Sequence, residues 1–312
     1  MAGILGAVGN TPIVELQRIR PRRGARVMLK LESANPTGSM KDRIAVAMVT
    51  RAAADGRLAP GGRVVEYTGG STGMALAFVC AAGGYRCTLV SSDAFSEEKL
   101  TGMAALGAEV VIVPSDGKRI TEGLIREMIA TAKRLAAEPG SYWTDQLNNR
   151  DGEAEYHPLG EEIWAQTEGR VAAFVQSVGT AHSLHGTADI LRERRPDVRI
   201  VAVEPTESPV LSEGRSGGHR IEGIGIGFVP PLWRPEQVDE IVQVGSDEAM
   251  AMARRLAVEE GVFAGTSTGA NVVAALTVAE DLSVDGVAVT LAVDSGAKYL
   301  STELYSRKAE QA

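Results

Sequence analysis

The stretch "RVVEYTGGSTGMALAFVCAAGGYRCTLVS", residues 63–91, decides the fold. It opens on a β-branched apolar run and breaks at the adjacent glycines Gly69 and Gly70. It continues through the helix-compatible "STGMALAFVCAA" and ends in a second strand-like run, "RCTLVS". Strand, glycine turn, helix and strand make one βαβ unit, whose parallel strands are covered on both faces. The pattern extends in both directions. Upstream, "PIVELQRI" (12–19) and "RVMLKLES" (26–33) read as strands flanking the basic turn at 20–25. Downstream, helix 96–106, strand 108–114 and helix 119–137 precede strand 172–178, helix 182–195 and strand 198–205. Helices at 246–261 and 267–282 and a strand at 286–293 close the series. This alternation predicts an α/β protein of the doubly wound, mostly parallel kind. The compositional break "DQLNNRDG", 145–152, is the candidate domain seam.

The chain of 312 residues, 44% hydrophobic and 23% charged, has ordinary globular composition and room for two domains. A net charge of −8 argues against a nucleic-acid partner. The opening "MAGILGAVGN" lacks the basic start and long apolar run of a signal peptide. The longest uncharged apolar stretch, 73–85, is too short and glycine-broken to span a bilayer. Cys80 and Cys87 have neither zinc-type spacing nor a disulfide-rich context. A cytoplasmic protein without membrane or metal partners is expected.

In open α/β sheets ligands bind beyond the carboxyl ends of the strands, at loops leading into helices. Three loops rich in glycine and hydroxyl residues fit: "TGGSTG" (68–73), "SVGTAHS" (177–183) and "AGTSTGA" (264–270). Free N–H groups at a helix start, open to close approach at glycine, make an anion site. Two such sites can hold two anionic groups, such as a phosphate and a carboxylate; equally, such turns serve simply as connections. The first loop also admits a nicotinamide-dinucleotide reading, with Asp93 about 20 positions beyond the glycines, although G-x-G-x-x-G is absent. "GIGIGF", 223–228, is followed by Pro230 and Pro231, so it reads as a backbone wall and not a helix start.

A fourth segment, "ESANPTGSMKDRIAVAM" (32–48), carries a lysine in an unfavourable place. Ser39 and Asp42 read as a capping box, which puts Lys41 in the first turn of a helix. A cation there typically costs about 0.3–1 kcal/mol against the helix dipole. The position therefore favours a neutral amine, suited to act as nucleophile or general base. A solvated lysine balanced by Asp42 is the plain alternative.

"NPTGSMKDR" (35–43) resembles the lysine motif of the cysteine synthase (O-acetylserine sulfhydrylase) family, pyridoxal 5'-phosphate enzymes of fold type II. The similarity runs essentially end to end. It includes "GNTPIVEL" (9–16), the loops at 68–73 and 177–183, "EGIGIGF" (222–228), "AGTSTGA" and "DSGAKYLST" (294–302). The resemblance implies a two-domain, tryptophan synthase β-like fold. Residues 35–145 with 1–12 would form a smaller, mobile, substrate-side domain; 13–34 and 146–312 would form the larger cofactor-binding one. It further implies a homodimer. Lys41 would bind the cofactor aldehyde covalently, and Gly179, Thr180, Ala181, His182 and Ser183 would cradle its phosphate. Ser267 would face the pyridine nitrogen, where a neutral hydroxyl makes the ring a weaker electron sink, suited to losing a β-leaving group. Thr68, Gly69, Gly70, Ser71 and Thr72 match the loop that closes on the amino-acid carboxylate. Gln146 and Gly223 fall on the substrate side, and Ser71 also on the cofactor side.

The chain departs from the family pattern in two loops. Where the family reads T-S-G-N-T-G, Gly69 replaces serine and Ser71 replaces asparagine, leaving a shorter side chain to reach the cofactor's ring oxygen. Where it reads G-T-G-G-T, Ala181 and His182 replace both glycines. Alanine resists positive φ, so either those positions are helical or the loop is reshaped. His182 is then a second phosphate donor or a ring beside the loop; His157, His185 and His219 have no partner pattern. The implied activity is β-replacement on an O-activated serine by a small nucleophile such as sulfide, through an α-aminoacrylate. The alternatives are a β-elimination lyase of cysteine desulfhydrase or serine dehydratase type and, on Asp93, an NAD-dependent dehydrogenase.

Overall fold

The β-branched runs pair into two sheets in a computed structural model that describes residues 3–117 and 119–306. The chain begins with an antiparallel pair, β1 (Ile13–Glu15) and β2 (Arg26–Lys30), followed by helix α1 (Lys41–Ala54). Next come β3 (Arg63–Tyr67), α2 (Ser71–Gly83), β4 (Arg86–Ser92), α3 (Glu97–Ala105), β5 (Glu109–Val113), α4 (Glu122–Ala136) and β6 (Ser141–Trp143). The second half holds α5 (His157–Gln166), β7 (Val171–Ser177), α6 (His182–Arg194), β8 (Arg199–Pro205) and the short α7 (Val210–Glu213). It ends with β9 (Glu240–Val244), α8 (Ser246–Arg255), α9 (Thr266–Glu280) and β10 (Val287–Leu291).

The four-stranded sheet, ordered β5-β4-β3-β6, is parallel throughout. The six-stranded sheet, ordered β1-β2-β10-β7-β8-β9, is parallel except for β1. The α/β expectation is met, and helices cover both sheets as parallel strands require. All five residues of β10 are buried at the middle of the larger sheet. Cys80 and Cys87 are free and buried. No helix among the described residues is long and apolar enough to cross a membrane.

Two local expectations are corrected. The first strand stops at Glu15, because the amides of Gln17, Arg18 and Ile19 all donate to the Glu260 carboxylate and leave the ladder. The capping box at Ser39 and Asp42 does not form. Helix α1 starts behind Met40, and Asp42 instead accepts from the Thr37 amide at 2.7 Å and from the Thr37 hydroxyl. The Asp42 carboxylate is thereby committed to Thr37 and not to the Ser39 amide. Lys41 is nevertheless the first helical residue, as expected.

Candidate active site

Each sheet reverses its strand order once, and ligand crevices of α/β sheets form where that happens. In the smaller sheet the reversal lies between β3 and β6, which places loop 68–72 beside Gln146. In the larger it lies between β7 and β10, which places loop 177–183 beside Asp294. The two crevices meet in one cavity. Lys41, Thr68, Gly69, Gly70, Ser71 and Thr72 line it from the first half of the chain. Gln146 joins them just after β6, and Gly179, Thr180, Gly223 and Ser267 line it from the second half. Ala181, His182 and Ser183 do not reach its wall; they are buried behind it in the start of α6.

The Lys41 amine has no hydrogen-bond partner among the described residues. Burial pushes it down to about 8, against a pull upward from the Asp294 carboxylate. Removing an amine from water disfavours its charged form, and the positive end of α1 acts in the same direction.

Loop 68–72 is held by its own side chains. The Thr68 hydroxyl accepts from the amides of Gly70 and Gly73, each at 2.9 Å, which secures the start of α2. The first amides of that helix have no partner within it. Thr72 donates to Gln146 Oε1 at 3.0 Å, and Gln146 Nε2 donates to the Tyr67 carbonyl at 2.8 Å, so one Gln146 N–H remains. Ser71 donates to Asp294 Oδ2 at 2.9 Å and thereby joins the two crevices.

Loop 177–183 has a different construction. Ala181 takes φ +73°, a left-handed conformation adopted in spite of its Cβ and against the expectation that alanine would avoid it. Left-handed backbone costs a residue with a Cβ about 1–2 kcal/mol. Gly179 is required by contact: a Cβ there would sit 2.6 Å from the Gly223 carbonyl oxygen. His182 is not a phosphate donor through its ring. Nε2 meets the Asn149 carbonyl at 2.8 Å, which must accept, so Nδ1 accepts from the Thr180 hydroxyl at 2.8 Å. Burial lowers this histidine to about 4, leaving it neutral. Thr180 therefore has its amide free while its hydroxyl proton is engaged. Ser183 Oγ accepts from Gln176 Nε2 at 3.4 Å and keeps its own proton to give. The amides of Thr180 and Ala181 donate to no backbone acceptor among the described residues.

Asp294, Tyr299 and Phe95, which line the cavity, and Glu66 behind it are given no individual role by the sequence. Asp294 and Tyr299 are brought in by β10. Phe95 covers Gly69: a Cβ at 69 would lie 2.9 Å from its ring. Glu66, buried in β3, accepts from the Tyr67 and Gln146 amides at 2.9 Å and from Thr144 and Trp143. It thereby places Gln146, and burial pushes its carboxyl up to about 7. A lone acid inside "RVVEY" was the available signal. Asp93, by contrast, accepts from the Ser115 amide at 2.7 Å and is committed to its own loop.

The Phe95 contact explains the Gly69 departure and gives a prediction. Gly69→Ser is expected to cost about 1–3 kcal/mol through overpacking. Most of that loss should return in the double variant with Phe95→Leu. Urea midpoints of the three proteins measure it; strictly additive costs would show that Phe95 is not the obstacle.

A cavity with an unpartnered lysine amine, free amides at α6, a serine hydroxyl and a glycine-only approach fits pyridoxal phosphate. The comparisons agree. The family model "Pyridoxal-phosphate dependent enzyme" matches residues 4–295. The chain is 42% identical over 302 residues to a cysteine synthase of Staphylococcus aureus strain Mu50, covering 96% of this chain and 95% of that one. Among solved structures it is similar to an O-ureido-L-serine-bound mutant of O-ureido-L-serine synthase. That match has TM-score 0.92 and 37% identity, covering 99% of this chain and 95% of the other. It is also similar to a hydrogen sulfide-producing enzyme of Fusobacterium nucleatum, with TM-score 0.89 and 34% identity, covering 96% and 100% of the two chains. Motifs, sheet order, cavity and relatives all agree, and the chain belongs to the pyridoxal-phosphate dependent enzymes of the cysteine synthase family.

Proposed function

We propose that the chain replaces the β-substituent of an O-activated serine with a small nucleophile, in the manner of a cysteine synthase. The observation that carries this reading is Lys41, an amine held near 8 and without a hydrogen-bonding partner in a cavity framed by the starts of two helices. When bound there, the cofactor supplies an electron sink for the amino acid's α-carbon. Lys41 Nζ would anchor the cofactor and, when free, would take the α-proton of the bound amino acid. The amides of Gly179 and Thr180, which line the cavity, would hold the phosphate at the positive end of α6, with the amides of Ala181 and His182 and the Ser183 hydroxyl just behind them. Ser267, which lines the cavity, would offer a neutral hydroxyl to the ring nitrogen, which would favour β-substituent loss over transamination. The substrate carboxylate is held by the amides of Gly69, Ser71 and Thr72 at the start of α2, and by the remaining Gln146 N–H, while the Gly70 amide is engaged by Thr68. Gly223 lines the substrate side. No arginine or lysine clamp is needed for that carboxylate, because unpaired helix amides do the work.

Residues 35–145 with 1–12 are proposed as the mobile substrate-side unit, and 13–34 with 146–312 as the cofactor-binding unit. Residues 1–2, 118 and 307–312 of those spans lie outside the described residues. The four-stranded sheet falls within the first span and every strand of the larger sheet within the second, which supports the division. A homodimer working in the cytoplasm is proposed from the family resemblance.

The test uses purified protein. It should be yellow, with a band in the violet, and borohydride should fix the cofactor to Lys41. Offered O-acyl and O-phospho serines with sulfide, it should form cysteine. With the nucleophile withheld, pyruvate accumulating as fast as cysteine forms would instead favour the β-elimination reading, to which the hydrogen sulfide-producing relative lends weight. Protein that stays colourless after added pyridoxal phosphate would sink both.

A further inference from the structure

Two carboxylates line the cavity without a place in the reaction described above: Glu222, which is bound to Lys99, and Asp294, which is bound to no cation among the described residues. Asp294, 2% exposed, sits just beyond β10 and forms an isolated bridge with Ser39, two residues before Lys41. Its Oδ2 accepts from the Ser71 hydroxyl at 2.9 Å and from the Tyr299 hydroxyl at 2.8 Å. Its Oδ1 is buried and has no partner among the described residues. Room for that oxygen is built in: a Cβ on Gly265 would lie 2.4 Å from it. Two hydroxyls and a glycine thus hold an acceptor-only group in place while leaving one oxygen unused. Ser71 stands where the family has an asparagine, so the departure noted in the sequence is spent on orienting this carboxylate.

We propose that Asp294 is a positioning residue whose carboxylate sets the proton affinity of the Lys41 nitrogen, with the buried amine of Lys298 as the opposing charge. The charged and titratable groups around Asp294 come from every side. Lys41 faces it from α1. Lys298 and Tyr299 face it from the turn that follows it, Tyr305 from further along the chain, and Glu222 from the 221–228 wall. Lys99 lies beside Lys298 but is bound to Glu222 at 2.6 Å. Lys298 Nζ is buried without a partner among the described residues, does not line the cavity, and faces the Asp294 carboxylate as a competing cation. A carboxylate favours the proton on a neighbouring nitrogen, and a second cation disfavours it.

The inference rests on Lys41 carrying the cofactor, and its test reads colour against pH. In the loaded protein the violet band converts to shorter wavelength as the Lys41 nitrogen loses its proton. Asp294→Asn is expected to move that midpoint to lower pH by about one unit or more, the size of shift an opposite charge at close range produces. Lys298→Met, which keeps the side chain's bulk and removes the opposing charge, is expected to move it to higher pH. A cooperatively folding Asp294→Asn protein whose midpoint stays within about 0.3 unit of the parent overturns the proposal. If that variant fails to fold or load, Lys298→Met decides: a midpoint unmoved or displaced to lower pH overturns it. A parent lacking the band, or labelled at another lysine, defeats the functional reading instead. A band on Lys41 that is indifferent to both substitutions defeats this inference alone.

Discussion

Lys41→Ala is expected to lower turnover of an O-activated serine by roughly 10³-fold or more while leaving the fold intact. Proton transfer by a positioned side chain alone contributes about 10²–10⁴-fold, and Lys41 is assigned the anchoring of the cofactor as well. No nearby amine can take over. Lys99 is tied to Glu222 at 2.6 Å with its ammonium over the Tyr299 ring, and Lys298 lies outside the cavity wall. The structural cost should be small, because the Lys41 amine has no hydrogen bond to lose and an alanine favours the helix at that position. Steady-state kcat together with a urea midpoint separates the two effects. An alanine variant retaining a tenth of parental kcat would remove the mechanism proposed for this site.

The parts of this site that sequence exposes are the parts built from adjacent residues. Loop 68–73 is a glycine turn between a strand and a helix, and Lys41 sits in a helix start marked by its own neighbours. What sequence hides depends on which strands become neighbours. Ser71 and Asp294 are 223 positions apart, and only the placement of β10 against β2 and β7 brings Asp294 toward Lys41. Periodicity identifies β10 as a buried strand without saying what lies beside it. The failed capping box shows the same limit at short range. Thr37, outside the S-x-x-D spacing, supplies two donors to Asp42 and takes it from Ser39. Ala181 is a case of tertiary override: local preference argues against positive φ, yet the buried loop around it holds the left-handed turn.

Arg43, two residues beyond Lys41, was legible only as a letter in the lysine motif, yet it anchors the helix that presents the amine. Its guanidinium is 3% exposed and binds two carboxylates in forked fashion. Nε and Nη2 reach Glu32 at 2.8 Å, and Nη1 and Nη2 reach Glu162 at 2.9 Å. Lys30 reaches the same Glu162 at 2.6 Å, while Thr11 and Asn35 donate to Glu32. The cluster ties β2, the turn before α1, α1 itself and α5 together. Arg43→Leu strands Glu32, which is fully buried, with hydroxyl and amide donors alone. Removing one partner of a buried ion pair typically costs about 3–5 kcal/mol, because the remaining charge stays desolvated. A loss of that size at pH 7, read from urea midpoints, is expected. Arg43→Lys should lose less but not recover the parent, since an ammonium cannot fork between two carboxylates. The acid limb gives an independent check. Burial opposes ionisation of Glu162, but Arg43 and Lys30 outweigh it and hold its carboxyl below the usual value of 4.5. A group depressed in this way stabilises the fold above its unfolded pKa, and that stability disappears as pH falls through the folded one. The parent should therefore lose stability as pH drops below about 4.5. The leucine variant, having already lost the interaction, should show a shallower decline. A variant less than about 1 kcal/mol below the parent at pH 7, with the same acid slope, would mean the four charges are held by their surroundings and not by one another.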